Sequence, residues 1–127
     1  MCRAEAVTSR YYGETAELLG KYAWYTTNSL NRSMLPVGSL KPNDLGLFDM
    51  LGNAWQWCED RALYYSAGED KEDINDIKDI KKDDSRVLRG GSFFIPASVV
   101  RSANRNANAP APRDGSGGFR LARTFTP

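Results

Sequence analysis

The 127-residue sequence contains no histidine. That removes the commonest general base, the Ser-His and Cys-His nucleophile pairs, and imidazole metal sites. Cysteine is nearly as scarce, with only Cys2 and Cys58, far apart in the chain. Two such distant cysteines are weak grounds for a disulfide, and free thiols in a reducing compartment are the simpler expectation. Neither sign of charge dominates: the net charge is +1, so nothing steers the whole molecule towards nucleic acid or a membrane surface. No apolar run approaches the length of a membrane span. The opening Met1-Cys2-Arg3-Ala4-Glu5 is not a secretory leader, and a cytoplasmic location is expected.

What is present suffices for one domain, residues 1–127, with a true core. Hydrophobic residues make up 41% of the chain, and three Trp, six Tyr and five Phe supply bulky anchors. Residues 13–22 suit a short helix of at most two turns, with Leu18, Leu19 and Tyr22 near one face. Residues 28–33 are polar turn material, Pro36-Val37-Gly38 reads as an extended edge, and Lys41-Pro42-Asn43-Asp44 as a tight turn. The run 44–51 suits a helical turn capped by Asn43 or Asp44. Residues 54–59 then alternate as a strand, with Trp55 and Trp57 turned to the core.

Charge is unevenly placed. Residues 69–84 hold eight acids and four lysines around a thin stripe of Ile74, Ile77 and Ile80, which reads as a charged surface insertion. Asp73, Asn75 and Asp79 lack the glycine turn and late glutamate of an EF-hand. From residue 86 to 123 there are seven arginines and a single acid, Asp114. In a chain of many loops, guanidinium forks tying carbonyls are a more economical account of them than phosphate binding. This stretch opens with a strand signal at 86–92 and closes with another at 118–123, where Phe119 and Leu121 alternate with Arg120 and Ala122. Between them lie some two dozen residues rich in Asn, Ala, Pro, Gly and Ser, with no clear period. A long irregular segment held between strands points to function.

Three groups of residues carry a family resemblance: Cys2-Arg3-Ala4 followed by TSRYYGE; GLFDMLGNAWQWCED at 46–60; and RVLRGGSF, VRSANR and GFRLAR in the final third. In this order they resemble the formylglycine-generating-enzyme-like (sulfatase-modifying factor) family. The resemblance implies an α+β, C-type-lectin-like fold, loop-rich, with short antiparallel strands and few short helices. Family members carry more chain before the first of these segments, so a longer protein, fused to a signalling or effector domain, is expected.

The family's oxidases hold copper with two cysteine thiolates just after the Gly-Gly-Ser turn. The stretch 93–100 here has no cysteine, and copper(I) prefers sulfur ligands. No copper and no such catalysis are therefore expected; a copper-dependent formylglycine-generating oxidase is the alternative. The family also implies a structural calcium ion at the turn after Leu51, which would fall to Asp49, Gly52, Ala54 and Gln56. Gln56 stands where the family has Glu, which lowers the ligand charge. The other reading is that Asp49 and Gln56 only hydrogen-bond the turn.

Between its fixed residues the 93–117 segment departs from the family pattern, which resembles the variable proteins of diversity-generating retroelements. These randomise the adenines of a template codon such as the asparagine codon AAC. Residues 92–118 contain no Lys, Glu, Gln, Trp or Met, none of which that codon can become. Asn104, Asn106 and Asn108 then read as unaltered template positions. The implied ligand surface comprises Phe94, Ile95, Pro96 and Val99, then the three asparagines with Ala107, Ala109, Ala111 and Pro112, then Asp114, Gly115 and Ser116. Phe94, Ile95 and Val99 would stand exposed beside small residues, a surface suited to a protein or peptide partner rather than to nucleic acid or a membrane.

Overall fold

The computed structural model describes residues 6–62, 81, 83–110 and 114–121. A 3-10 turn, Leu19–Lys21, precedes a one-turn helix α1, Thr26–Ser29. Four strands follow among the described residues: β1 (Trp55–Arg61), β2 (Arg86–Arg89), β3 (Arg105–Asn108) and β4 (Gly117–Gly118). They form one sheet in the order β3-β2-β1-β4. β1 runs antiparallel to β2, β2 antiparallel to β3, and β4 parallel to β1.

β1 arises from the anticipated alternation. Trp55 is buried in the core and Trp57 packs against it. In β2 the adjacent Val87 and Leu88 are both buried. Successive strand residues face opposite sides, so the sheet is covered on both faces there. The core cluster comprises Tyr11, Leu19, Ala23, Met50, Leu51, Trp55, Leu88, Ile95 and Val100. Of these only Trp55 and Leu88 lie on strands; the other seven come from turns and loops. Irregular segments are therefore part of the core, and their backbones need partners.

Several expectations need correction. The 44–51 run forms no helix, because Gly46 (φ +74°) and Asp49 (φ +53°) break the chain. Asn43 still caps, its Oδ1 accepting the amides of Leu45 and Leu47, both at 3.0 Å. Val37-Gly38 is a turn, not an extended edge. Of the strand expected at 118–123, Gly118 alone among the described residues is in a strand, β4, while Phe119 (78%) and Leu121 (88%) lie exposed rather than half-buried; Ala122 and Arg123 lie outside the described residues. β2 stops at Arg89 because Gly90 and Gly91 both take positive φ. A Cβ on Gly91 would lie 2.6 Å from the Cδ1 of Ile95. β3 was not legible, since Arg-Asn-Ala-Asn has little intrinsic strand preference; pairing with β2 imposes it. Of the 69–84 insertion only residues 81, 83 and 84 are among the described residues, where Asp84 pairs with Arg61 at 3.1 Å.

The turn before β1 is the meeting point of the loops. Gly52 has φ +72°, and its amide donates to Gly90 O at 2.8 Å. A Cβ there would lie 2.2 Å from Trp24 O, so no other residue fits. The neighbouring Asn53 is 3% exposed. Its amide donates to Trp24 O and its carbonyl accepts the amide of Phe93. Its side chain closes a two-way bond with the backbone of Leu35: Leu35 N to Oδ1 at 2.9 Å, and Nδ2 to Leu35 O at 3.0 Å.

Gly52→Ala is expected to cost about 3 kcal/mol or more, from left-handed strain plus a backbone clash. Asn53→Ala should cost about 2 kcal/mol by stranding the Leu35 groups. Urea denaturation of the two variants measures both; a loss below about 1 kcal/mol for Gly52→Ala would remove the turn from this central place.

Candidate functional site

The loop after β2 is built by alternation. Phe93, Ile95, Ala97, Val100 and Ser102 are wholly or partly buried, while Phe94, Pro96, Ser98, Val99 and Arg101 are exposed. The inward residues are also where other segments grip the backbone. Ser29 Oγ donates to Phe93 O at 2.6 Å, and the Thr26 amide donates to Ile95 O at 3.1 Å. The buried guanidinium of Arg10 donates to Ala97 O at 2.8 Å and Val100 O at 3.0 Å. The Ser102 amide donates to Ser9 O at 2.9 Å. Each gripping group lies in the first third of the chain.

β3 continues the segment as an edge of the sheet. Arg89 Nη1 donates to the carbonyls of Ala103 (3.0 Å) and Asn104 (3.2 Å), fixing the approach. Asn106 and Ala107 are exposed, whereas Asn104, Asn108 and Ala109 are half-buried. Asn106 and Asn108 fold back on the strand, each Oδ1 accepting the next amide at 2.9 Å. Arginine forks to carbonyls, anticipated from the composition, are thus seen at Arg10, Arg89 and Arg120.

A cleft of about 400 Å³ opens between three loops. Phe93 and Phe94 form one wall, with ring centroids 5.4 Å apart and planes at 78°. Asp114, Gly115 and Ser116 form the second, and Arg32 with Ser33 the third. Asp114 Oδ1 accepts both the hydroxyl and the amide of Ser116. Those bonds hold the Asp114 carboxyl below the usual carboxylate range, the hydroxyl bond weighing most.

The structure therefore brings Phe94, Asp114, Gly115 and Ser116 to one cleft, and leaves Pro96, Val99, Asn106 and Ala107 on nearby loop and edge surface. Ile95 is misassigned: at 8% exposure it belongs to the core, not to the exposed set. Ser116 is also buried, and its hydroxyl serves the turn. Ala111 and Pro112 lie outside the described residues. Arg32 and Ser33 were missed, having read as turn material. No sequence signal marked them: the turn depends on positive φ at Leu30 and Asn31, just before them, which the sequence does not reveal.

The side chains at the two metal positions implied by the resemblance are a poor chemical match to those ions. In 93–100 the inward side chains are hydrocarbon, with Ile95 and Val100 deepest. Cys58 is a free thiol on β1, and burial, with Asp60 next, pushes its pKa up, away from the thiolate that copper needs. At the other turn, Asp49 Oδ2 accepts the Gly38 amide at 2.7 Å. The carbonyl of Asp49 accepts Gln56 Nε2 at 2.7 Å. Gln56 Oε1 accepts Arg120 Nε at 3.2 Å. Of the side-chain oxygens named for calcium, Asp49 Oδ1 is buried without a partner, while Asp49 Oδ2 and Gln56 Oε1 are both taken. No group of three or more acidic, cysteine or histidine side chains suited to a metal occurs among the described residues.

Because the folded Cys58 pKa is raised, its contribution to stability is full below the ordinary thiol pKa and is lost as pH rises through the folded value. Alkylation by iodoacetamide should be slower than for a free thiol at neutral pH and accelerate only at more alkaline pH. Fast labelling at neutral pH would contradict the assigned environment.

Comparison with known proteins gives consistent results. The family described as "Sulfatase-modifying factor enzyme 1-like domain" matches residues 4–125. The formylglycine-generating enzyme of Streptomyces coelicolor is 37% identical over 95 residues, covering 71% of this chain and 29% of that enzyme. Among solved structures, Treponema denticola variable protein 1 superposes with a TM-score of 0.81 at 29% identity, covering 93% of this chain and 41% of that one. PvdO from Pseudomonas aeruginosa gives 0.65 at 29% identity, covering 84% and 39%. The chain thus spans about three-tenths of the length of the Streptomyces enzyme. Its fold is the expected C-type-lectin-like one of the formylglycine-generating-enzyme type.

Proposed function

The chain belongs to the sulfatase-modifying factor enzyme 1-like family, and on that premise we propose that it is a catalytically silent variable module that presents an exchangeable surface to a protein or peptide ligand. The observation that carries this reading is the alternation in the loop after β2. Its backbone is gripped at Phe93, Ile95, Ala97, Val100 and Ser102, while Phe94, Pro96, Ser98 and Val99 point outward between the grips. Exposed side chains can change there without disturbing a bond or the core. The likeness to Treponema denticola variable protein 1 over 93% of the chain supports the same reading. So does the absence, in residues 92–118, of every residue type that a randomised asparagine codon cannot reach.

The chemistry of the surface favours a protein or peptide. Phe94 (43% exposed) and Val99 (36%) offer apolar contact, and small residues surround them. Arg32 and Asp114 put both signs of charge at the cleft, which suits a mixed polypeptide surface better than a polyanion. Phe94, set beside the cleft and braced edge-on by Phe93, is the anchor. The oxidase reading lacks thiolates where the family needs them; if it held, the purified protein would take up stoichiometric copper through sulfur.

Peptides selected from a displayed library against the wild-type chain supply a probe. Phe94→Ala is expected to weaken their binding about 30-fold. Val99→Ala and Asn106→Ala should have smaller effects. Melting temperatures should stay within about 2 °C of wild type, because none of the three is a core residue. Binding that survives all three changes would place the ligand surface elsewhere.

A further inference from the structure

The turn that the family resemblance assigns to calcium is closed here by side chains of the chain itself. Asp49 takes positive φ, and its carboxylate is bound to the Gly38 amide. Gln56, on β1, reaches back to it, donating Nε2 to Asp49 O at 2.7 Å. Arg120 comes from beyond β4 and donates twice: Nε to Gln56 Oε1 at 3.2 Å, and Nη2 to Phe48 O at 2.6 Å. The orientation of the Gln56 amide is fixed from both ends, since a carbonyl on one side demands its NH₂ and a guanidinium on the other demands its oxygen.

A calcium ion would need the Asp49 carboxylate and the residue-56 side-chain oxygen bare, with negative charge around it. Here Asp49 Oδ2 is taken by the Gly38 amide, the would-be acidic ligand is neutral Gln56, and a fixed positive charge sits on its oxygen. The guanidinium bridges residue 48 to residue 56 and ties both to the segment after β4. We infer that Gln56 and Arg120 act together as a built-in substitute for the metal, so that the 46–56 turn, and with it the approach to β1, stands without a divalent cation. Asp49 Oδ1 stays buried without a partner.

The test compares thermal unfolding of the wild-type chain in EDTA and in millimolar calcium, with isothermal titration of calcium as a second readout. The melting temperature is expected to be the same in both, and the titration to show no saturable heat. Arg120→Ala and Gln56→Ala should each lower the melting temperature by about 3 to 6 °C, equally in EDTA and in calcium. Arg120 is exposed, so its variant should fold even if the Gln56 variant does not. The double change Gln56→Glu with Arg120→Ala restores an acidic ligand and removes the cation; it should bring a calcium-dependent rise in melting temperature. A saturable calcium response of the wild-type chain that Asp49→Asn abolishes would overturn the inference. So would Arg120→Ala and Gln56→Ala variants that melt with wild type, or a double variant that stays blind to calcium.

Discussion

Asn53 touches three separate stretches of chain at once. Its backbone joins Trp24 and Phe93, and its side chain closes a two-way amide pair with Leu35. Gly52 beside it fits against Trp24 only because it has no side chain, and it reaches Gly90 as well. Two residues thus connect the early loops, the exit of β2 and the start of the displayed loop. In a domain whose core comes mostly from turns, an unpaired buried amide would be as damaging as a cavity. This turn is what makes the other loops mutually consistent.

From that turn the exposed face of the loop after β2 follows. The Asn53 carbonyl holds the first residue of the loop, Phe93, and Ser29 holds its other polar group. Arg10 then holds Ala97 and Val100 from the far side while its own charge is buried among carbonyls. Ile95 and Val100 fill the space above Gly91. Every one of these contacts uses backbone or an inward side chain. The outward side chains of the same loop enter none of them.

The sequence made some of this legible. The Trp55–Trp57 alternation identified β1, the strand signal at 86–92 located β2 but overran its end, and the arginine excess was matched by guanidinium-to-carbonyl bonds. The segment after β2 does carry exposed side chains, but its inward and outward residues were not separated. Ile95 looked like display and is core, because the irregular loop has a burial pattern set by hydrogen bonds from residues over sixty positions away, not by any period. β3 escaped for a related reason: asparagine and alanine pair there because β2 presents an open edge. Arg32 was hidden because only the folded turn carries it to Phe94 and Asp114.

The central claim is that this loop keeps its backbone whatever side chains it shows. A crystal structure of a variant with Phe94, Pro96, Ser98 and Val99 all replaced by aspartate or tyrosine tests it most directly. The account predicts an unchanged path from Phe93 to Ser102, with Ile95 and Val100 still buried and the Arg10, Ser29 and Asn53 bonds intact. A loop that refolds, or Ile95 expelled from the core, would contradict it.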